Sequence, residues 1–293
     1  MASEVWTIKR ILDWTSDYLG RKGDEHPRLS AEWLLCNATG HTRVELYINY
    51  DKPLSAGELD IMRDGVRRRA AGEPLQYVTG EMPFRHIVLR CEKGVLIPRP
   101  ETEVLVDAAL EALDECGSEA PLVLEVGTGT GCIALSLASE HEGARVIATD
   151  LSPMAVRLAM RNRDALNLAG VVDVVECDLA VGVPNVLMGR FDVLVSNPPY
   201  IPTEVLVREV PAEVKDHEPG LALDGGEDGL DVFRRILAIA PEVLAQGGTL
   251  CVELFEGNVH AAAELVRAEP GWANVEVRED LTHRPRVLIA RRG

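Results

Sequence analysis

From Leu122 to Leu254 the chain alternates short β-prone runs with stretches of helical spacing, and no other feature narrows its fold as much. Leu122 to Val126 reads as a strand and Cys132 to Ser139 as a helix. Arg145 to Asp150 is the next strand. A helix from Pro153 to Leu168 follows, with Ser152 as N-cap, Pro153 in the first turn and Gly170 beyond its end. Val171 to Cys177 and Phe191 to Ser196 are further strands, Asp231 to Ala245 is helical, and Thr249 to Leu254 is another strand. A parallel strand pair needs a long crossover, so this alternation predicts an α/β fold, a mainly parallel sheet with helices on both faces. The tail holds a helix, about Asn258 to Ala268, and two β-prone pieces, Ala273 to Arg278 and Arg286 to Arg291. Two strands joined by a short loop pair antiparallel, which predicts one antiparallel edge strand.

Residues 1–73 have a different texture. Ile8, Ile11, Leu12, Thr15 and Leu19 share one helical face, Leu29 to Thr39 is helical up to Gly40, and a third helix runs from Ser55, an N-cap with Glu58 three residues on, toward Gly72. This predicts a small N-terminal helical bundle. Residues 74–100 are expected to form a β-hairpin linker, with Gln76 to Thr79 and Phe84 to Leu89 as β-prone pieces on either side of Gly80. Residues 101–293 are then expected to form the α/β domain.

Composition limits the partners. The formal net charge is −17, which disfavours a phosphate backbone, so direct nucleic-acid binding is not expected. Arg67-Arg68-Arg69 is the one basic run, read as a solvated helix face. Six cysteines lie scattered, with no Cys-x-x-Cys pair and no His at ligand spacing, so neither a metal site nor a disulfide framework is expected and reduced thiols fit a cytoplasmic protein. Met1 to Arg10 lacks an apolar signal core, and no apolar run approaches the ~20 residues that span a bilayer.

Glu125-Val126-Gly127-Thr128-Gly129-Thr130-Gly131 follows a predicted strand and opens a helix. Glycines let the backbone turn tightly and approach a ligand, and a helix N-terminus offers free N–H groups to an anion. Asp150 ends the next strand, where a carboxylate can accept hydrogen bonds from both hydroxyls of a ribose. A dinucleotide fingerprint would need glycine where Cys132 stands. The G-x-G-x-G spacing with a preceding acid instead resembles the cofactor loop of class I methyltransferases, which use S-adenosyl-L-methionine. Asp178, after the third strand, takes the position that faces adenine in such folds.

Asn197-Pro198-Pro199-Tyr200 follows the strand Phe191 to Ser196, beyond the carboxyl end of the sheet where ligands of open α/β folds bind. The prolines remove backbone donors and leave the Asn197 side-chain oxygen and the Pro198 carbonyl as acceptors. A planar NH2 group could donate one hydrogen to each, favouring a more pyramidal nitrogen during in-line methyl transfer, while Tyr200 stacks on the flat group. This chemistry fits a glutamine amide and an adenine amine equally well.

The tetrapeptide, with Ile97-Pro98-Arg99-Pro100-Glu101-Thr102-Glu103 upstream, resembles the protein glutamine methyltransferases that modify peptide chain release factors, the PrmC/HemK family. Gly72 to Gly80, Glu218 to Leu223, Gly225 to Leu230 and the tail from Asp280 to Val287 are similar to that family as well, so the resemblance covers essentially the whole chain. It implies a class I methyltransferase Rossmann-like fold and methylation of the Gln in a Gly-Gly-Gln loop of class-one release factors. The N-terminal bundle would grip the release factor. The family's cofactor contacts carry over to Gly127, Thr128, Gly129, Thr130, Gly131, Asp150 and Asn197, and acceptor binding to Asn197, Pro198, Pro199 and Tyr200. Some members carry an aromatic residue after the acid of the third strand. Here it is Leu179, where aliphatic packing would replace stacking. Arg99 is a candidate for the methionine carboxylate. Residues 253–258 depart from the usual glycine-rich form. An adenine-amine DNA methyltransferase, a glutamine methyltransferase of a ribosomal protein and a non-enzymatic binding factor are the rival readings.

Overall fold

The computed structural model describes residues 5–293; residues 1–4, the start of the segment read as lacking a signal core, lie outside them. The chain divides into two units. One runs up to Glu81 and includes Ala212–His217; the other comprises Met82–Pro211 and Glu218–Gly293.

The first unit contains α1 (Ile8–Arg21), α2 (Pro27–Thr39), α3 (Arg43–Ile48), α4 (Ala56–Ala70) and α5 (Leu75–Thr79). Thr42 with Glu45 and Ser55 with Glu58 form reciprocal capping boxes at the starts of α3 and α4, each N-cap contributing about 1 kcal/mol. Ile8, Ile11, Leu12, Thr15 and Leu19 are buried on one face of α1, as their spacing requires. They pack with Leu34, Leu35, Leu46, Met62 and Val66. The basic run on α4 is mostly committed to this unit's own groups. Arg68 donates to Glu73 and to the carbonyls of Tyr77 and Val78, and Arg69 donates to Asp24 and pairs with Glu213, while Arg67 stays exposed beside Asp64.

Gln76 to Thr79, expected as a β piece, lies instead in α5. Pro74 opens that helix, and Gly80, at φ 79°, closes it by donating its N–H to the Gln76 carbonyl at 2.8 Å. The left-handed conformation that glycine tolerates thus serves a helix C-cap rather than a strand connection. The hairpin comes one step later, as β1 (Glu81–Phe84) and β2 (Ile87–Arg90). Its turn is held by Arg85, which donates to Glu140, Asp107 and the Glu103 carbonyl.

The second unit continues with α6 (Thr102–Cys116), β3 (Leu122–Val126), α7 (Cys132–Glu140), β4 (Arg145–Asp150), α8 (Pro153–Ala165), β5 (Val172–Glu176), β6 (Phe191–Ser196) and α9 (Thr203–Arg208). After α10 (Ala212–His217), which belongs to the first unit, come α11 (Asp231–Val243), β7 (Leu244–Glu253), α12 (Val259–Ala268), β8 (Trp272–Glu279) and β9 (Pro285–Arg292). The sheet has seven strands in the order β5-β4-β3-β6-β7-β9-β8. The five from β5 to β7 are parallel. The reversed strand is β9, which pairs antiparallel with both β7 and β8. It therefore sits one place in from the edge, and β8, the outermost strand, returns to the parallel sense.

Both faces of the sheet are covered. Val193 and Val195 of β6 join a core with α6 and α7, while Leu194 joins the opposite core with α11 and α12. This is the alternation that a doubly covered strand requires. Register aligns the carboxyl ends: Val126 stands opposite Thr149 and Ser196, and Ser196 opposite Val252. Chain order reverses between β3 and β6, and ligands of open α/β sheets bind at such a point.

Candidate active site

A cleft of about 680 Å³ opens over these carboxyl ends. Its floor is the glycine loop between β3 and α7, where Gly127, Gly129 and Gly131 all have positive φ, at 78°, 57° and 87°. Gly131, at φ 87°, holds a left-handed conformation that L side chains rarely adopt, and a Cβ there would also crowd Leu135 Cδ1 at 2.9 Å. Buried groups brace the loop. The Thr128 hydroxyl donates to Glu125 Oε2 at 2.5 Å and the Ala134 N–H donates to the same oxygen at 3.2 Å. Burial pushes the Glu125 carboxyl up to about 8, against the pull of these two donors. Asn162 of α8 donates to the Thr130 carbonyl at 2.8 Å and exchanges hydrogen bonds with the Arg90 backbone. Nothing about Asn162 in a polar helix stretch singles it out in sequence.

Asp150 reaches back over the loop. Its Oδ2 accepts from the Gly129 N–H at 2.9 Å and its Oδ1 from the Ser152 N–H at 2.8 Å. Burial raises this carboxyl, and the backbone donors oppose the rise. A carboxylate has about four lone-pair sites, so two hydroxyls can still be accepted. Asp178 and Leu179 line the same cleft. Asp178 pairs with Arg235 of α11 at 2.6 Å, a cleft residue that sequence patterning does not mark. Leu179 holds φ at 49°, a left-handed conformation that costs a branched side chain ~1–3 kcal/mol and is often met beside ligands.

The tetrapeptide begins one residue past β6. The Asn197 side-chain nitrogen donates to Thr102 Oγ1 at 3.1 Å, which leaves Oδ1 as the acceptor available to the cleft. Pro199 also lines the cleft. Tyr200 turns the other way: its hydroxyl donates to Glu253 Oε1 at 3.0 Å, so its ring is anchored at the tip. Burial raises the Tyr200 hydroxyl well above its usual value, and the Glu253 carboxyl adds to the rise. The motif Gly225 to Leu230 packs on this backbone. A Cβ on Gly229 would lie 2.3 Å from the Tyr200 carbonyl and one on Gly225 2.8 Å from Tyr200 Cα. Asn258 donates to the same Tyr200 carbonyl at 3.2 Å, which gives the 253–258 segment a place under the tetrapeptide.

Arg99 lines the cleft, but its guanidinium is paired with Glu218, whose second oxygen accepts from the Ile97 N–H at 3.2 Å. This clamp joins the two family-like segments around 97–103 and 218–223 and sets Pro219 to Ala222 against the cleft. Glu218 lies in a family-like segment, but nothing in the sequence pairs it with Arg99, 119 positions away.

S-adenosyl-L-methionine suits these walls. The glycine cradle admits close backbone approach, the start of α7 offers N–H groups to a carboxylate, and Asp150 is a half-buried acceptor beside the loop. Fold and loop together define a class I methyltransferase with this cofactor. A family model described as the PrmC N-terminal domain matches residues 10–80, and one described as the methyltransferase small domain matches residues 102–214. The release factor glutamine methyltransferase of Geobacter sulfurreducens is 43% identical over 290 residues, covering 99% of this chain and 98% of that protein. The protein of the same name from Moorella thermoacetica is 41% identical over 286 residues, covering 98% of this chain and 99% of that one. Among solved structures, the hMettl16 catalytic domain superimposes with a TM-score of 0.56 at 18% identity, covering 78% of this chain and 82% of that one, a likeness of fold alone. The chain belongs to the release factor glutamine methyltransferase family.

Proposed function

We propose that this enzyme transfers the methyl group of S-adenosyl-L-methionine to the side-chain amide nitrogen of the Gln in the Gly-Gly-Gln loop of class-one release factors, in the cytoplasm. The observation that supports the site assignment is the Asn197–Thr102 hydrogen bond, in which the amide nitrogen is used and Oδ1 is left as an acceptor. Asn197 Oδ1 and the Pro198 carbonyl take the two hydrogens of the substrate NH2, while Tyr200, turned from the cleft, braces the tetrapeptide through its hydroxyl bond to Glu253. The cofactor, when bound, supplies an electrophilic methyl on a sulfonium. The residues that would hold it are Gly127 through Gly131, Asp150, Asp178, Leu179 and Asn197. Accepting both hydrogens localises the nitrogen lone pair, and fixed placement reduces the entropic barrier, an effect worth up to ~7–11 kcal/mol in favourable cases.

The helical unit has its own apolar cleft, also of about 680 Å³, lined by Trp6, Trp14, Tyr18 and Met62 and edged by Lys22, Arg63 and Arg67. Trp14 stacks on Tyr18 at 5.1 Å and remains exposed. This supports a role in docking the protein substrate. Among the described residues no helix is long and apolar enough to cross a membrane.

The test is mass spectrometry of purified release factors after incubation with enzyme and cofactor. One added methyl on the Gly-Gly-Gln peptide is expected. Methyl transfer to DNA or to a ribosomal protein, with release factors left untouched, would overturn the assignment. For docking, Trp14→Glu should raise KM for intact release factor with cofactor affinity unchanged. An unaltered KM would remove the helical unit from recognition.

A further inference from the structure

Glu253 ends β7 directly beside the tetrapeptide, since Val252 stands opposite Ser196 in the sheet. It is 1% exposed. A buried carboxylate needs donors, because desolvation without hydrogen bonds is costly. One donor is Tyr200, at 3.0 Å from Oε1. Oε2 is buried with no donor in hydrogen-bonding geometry. Thr102, also 1% exposed, opens α6 and accepts the Asn197 amide on its oxygen, so its single hydroxyl proton must be donated elsewhere.

We propose that Glu253 is a positioning residue for the methyl acceptor: it accepts the Thr102 and Tyr200 hydroxyl protons together and so sets the direction of the chain Asn197 → Thr102 → Glu253 ← Tyr200. The proposal rests on the reading of Asn197 Oδ1 as an acceptor of the substrate amide. Its physical content is polarity rather than packing. A carboxylate only accepts, so Thr102 donates to it and keeps its oxygen lone pairs for the Asn197 NH2. That holds Oδ1 toward the cleft. Reversing the chain would present Asn197 NH2 to the substrate NH2, two donors face to face. Burial raises the Glu253 carboxyl, and the Thr102 and Tyr200 hydroxyls are the two largest influences holding it down, with Arg286 adding a smaller one.

Glutamine at 253 keeps the shape but offers one acceptor and one donor, so either Thr102 or Tyr200 must turn. Glu253→Gln is expected to lower kcat at least about tenfold while cofactor Kd, by calorimetry, stays within about twofold. Thr102→Val should do the same, and Thr102→Ser, which keeps the hydroxyl, should retain kcat within about threefold. Because the residues act as one unit, the Glu253→Gln/Thr102→Val double variant should lose little more than the worse single variant. Asn197→Ala is measured in parallel. If Asn197→Ala abolishes turnover but Glu253→Gln does not lower it, the positioning role is wrong and the acceptor reading stands. If Asn197→Ala leaves turnover intact, the acceptor reading fails first. Equal loss of kcat in Thr102→Ser and Thr102→Val, or losses that multiply in the double variant, would also sink the proposal. Thr102→Val, at the neighbouring link of the chain, keeps the test decisive should a Glu253 variant not fold.

Discussion

The backbone N–H of Gly129 lies 2.9 Å from Asp150 Oδ2. One carboxylate therefore shapes the glycine loop, and in the proposed cofactor site its remaining lone pairs would accept from the ribose hydroxyls. Asp150→Ala removes both effects. Hydrogen bonds to a charged group contribute about 1.5–3 kcal/mol, so cofactor Kd should rise roughly 10- to 100-fold. Calorimetric titration with S-adenosyl-L-methionine checks this, and an unchanged Kd would exclude Asp150 from the cofactor site.

Asn197→Ala separates binding from chemistry. The substitution removes an acceptor for the substrate amino group while the glycine loop and Asp150 stay in place. Turnover should fall by roughly 10²–10³, the scale on which losing one pre-organised polar contact acts, with cofactor affinity changed much less. Equal losses in both would contradict the assigned role.

Glu125 makes stability depend on pH. In the folded chain its carboxyl is pushed up to about 8 from the ordinary 4.5. Between those values the unfolded chain has released this proton and the folded chain keeps it. Stability from this group is therefore complete below about 4.5, declines as pH rises and levels off above about 8. Glu125→Gln should melt with a shallower pH dependence over that window. Parallel melting curves for the two proteins would mean that Glu125 titrates normally.

The arginine run tests burial against exposure. Arg69 and Asp24 pair at 2.8 Å with 12% and 5% of their side chains exposed, whereas Arg67 and Asp64 remain 77% and 51% exposed. Arg69→Met leaves the Asp24 carboxylate with only the Ser30 hydroxyl and the His26 N–H as donors and no counter-charge, and should cost about 3 kcal/mol. Arg67→Met should change stability by no more than about 0.5 kcal/mol. Urea unfolding distinguishes them, and similar midpoints for the two variants would contradict the buried pair.

Local structure is legible in the sequence where one residue decides one local event. The capping pair Ser55 and Glu58, the strand alternation and the glycine loop all announce themselves within a few residues. Gly80 misled because a positive φ serves a helix cap and a turn alike, and only the Gln76 carbonyl it bonds tells which. The place of β9 was illegible for another reason: strand order is a long-range choice, and a short loop dictates antiparallel pairing with β8 without saying which of the two joins β7. At the site, Asn197 and Asp150 lie in readable motifs. Thr102, Asn162, Glu218 and Glu253 act from 95, 32, 119 and 53 positions away from the residues they hold. No spacing rule connects such pairs; the sheet does.

The interior position of β9 has a consequence for how the molecule is made. Residues 285–292 are the last strand in chain order, yet they fill the gap between β7 and β8. Until they emerge, β7 presents an open flank with Leu250 and Val252 beside it, and β8 has no neighbour in the sheet. Synthesis and assembly therefore run in different orders, and the nascent chain carries an unpaired hydrophobic edge during the interval, the situation in which strands recruit foreign partners. β9 acts as a keystone: loss of that one strand would dissolve two ladders together.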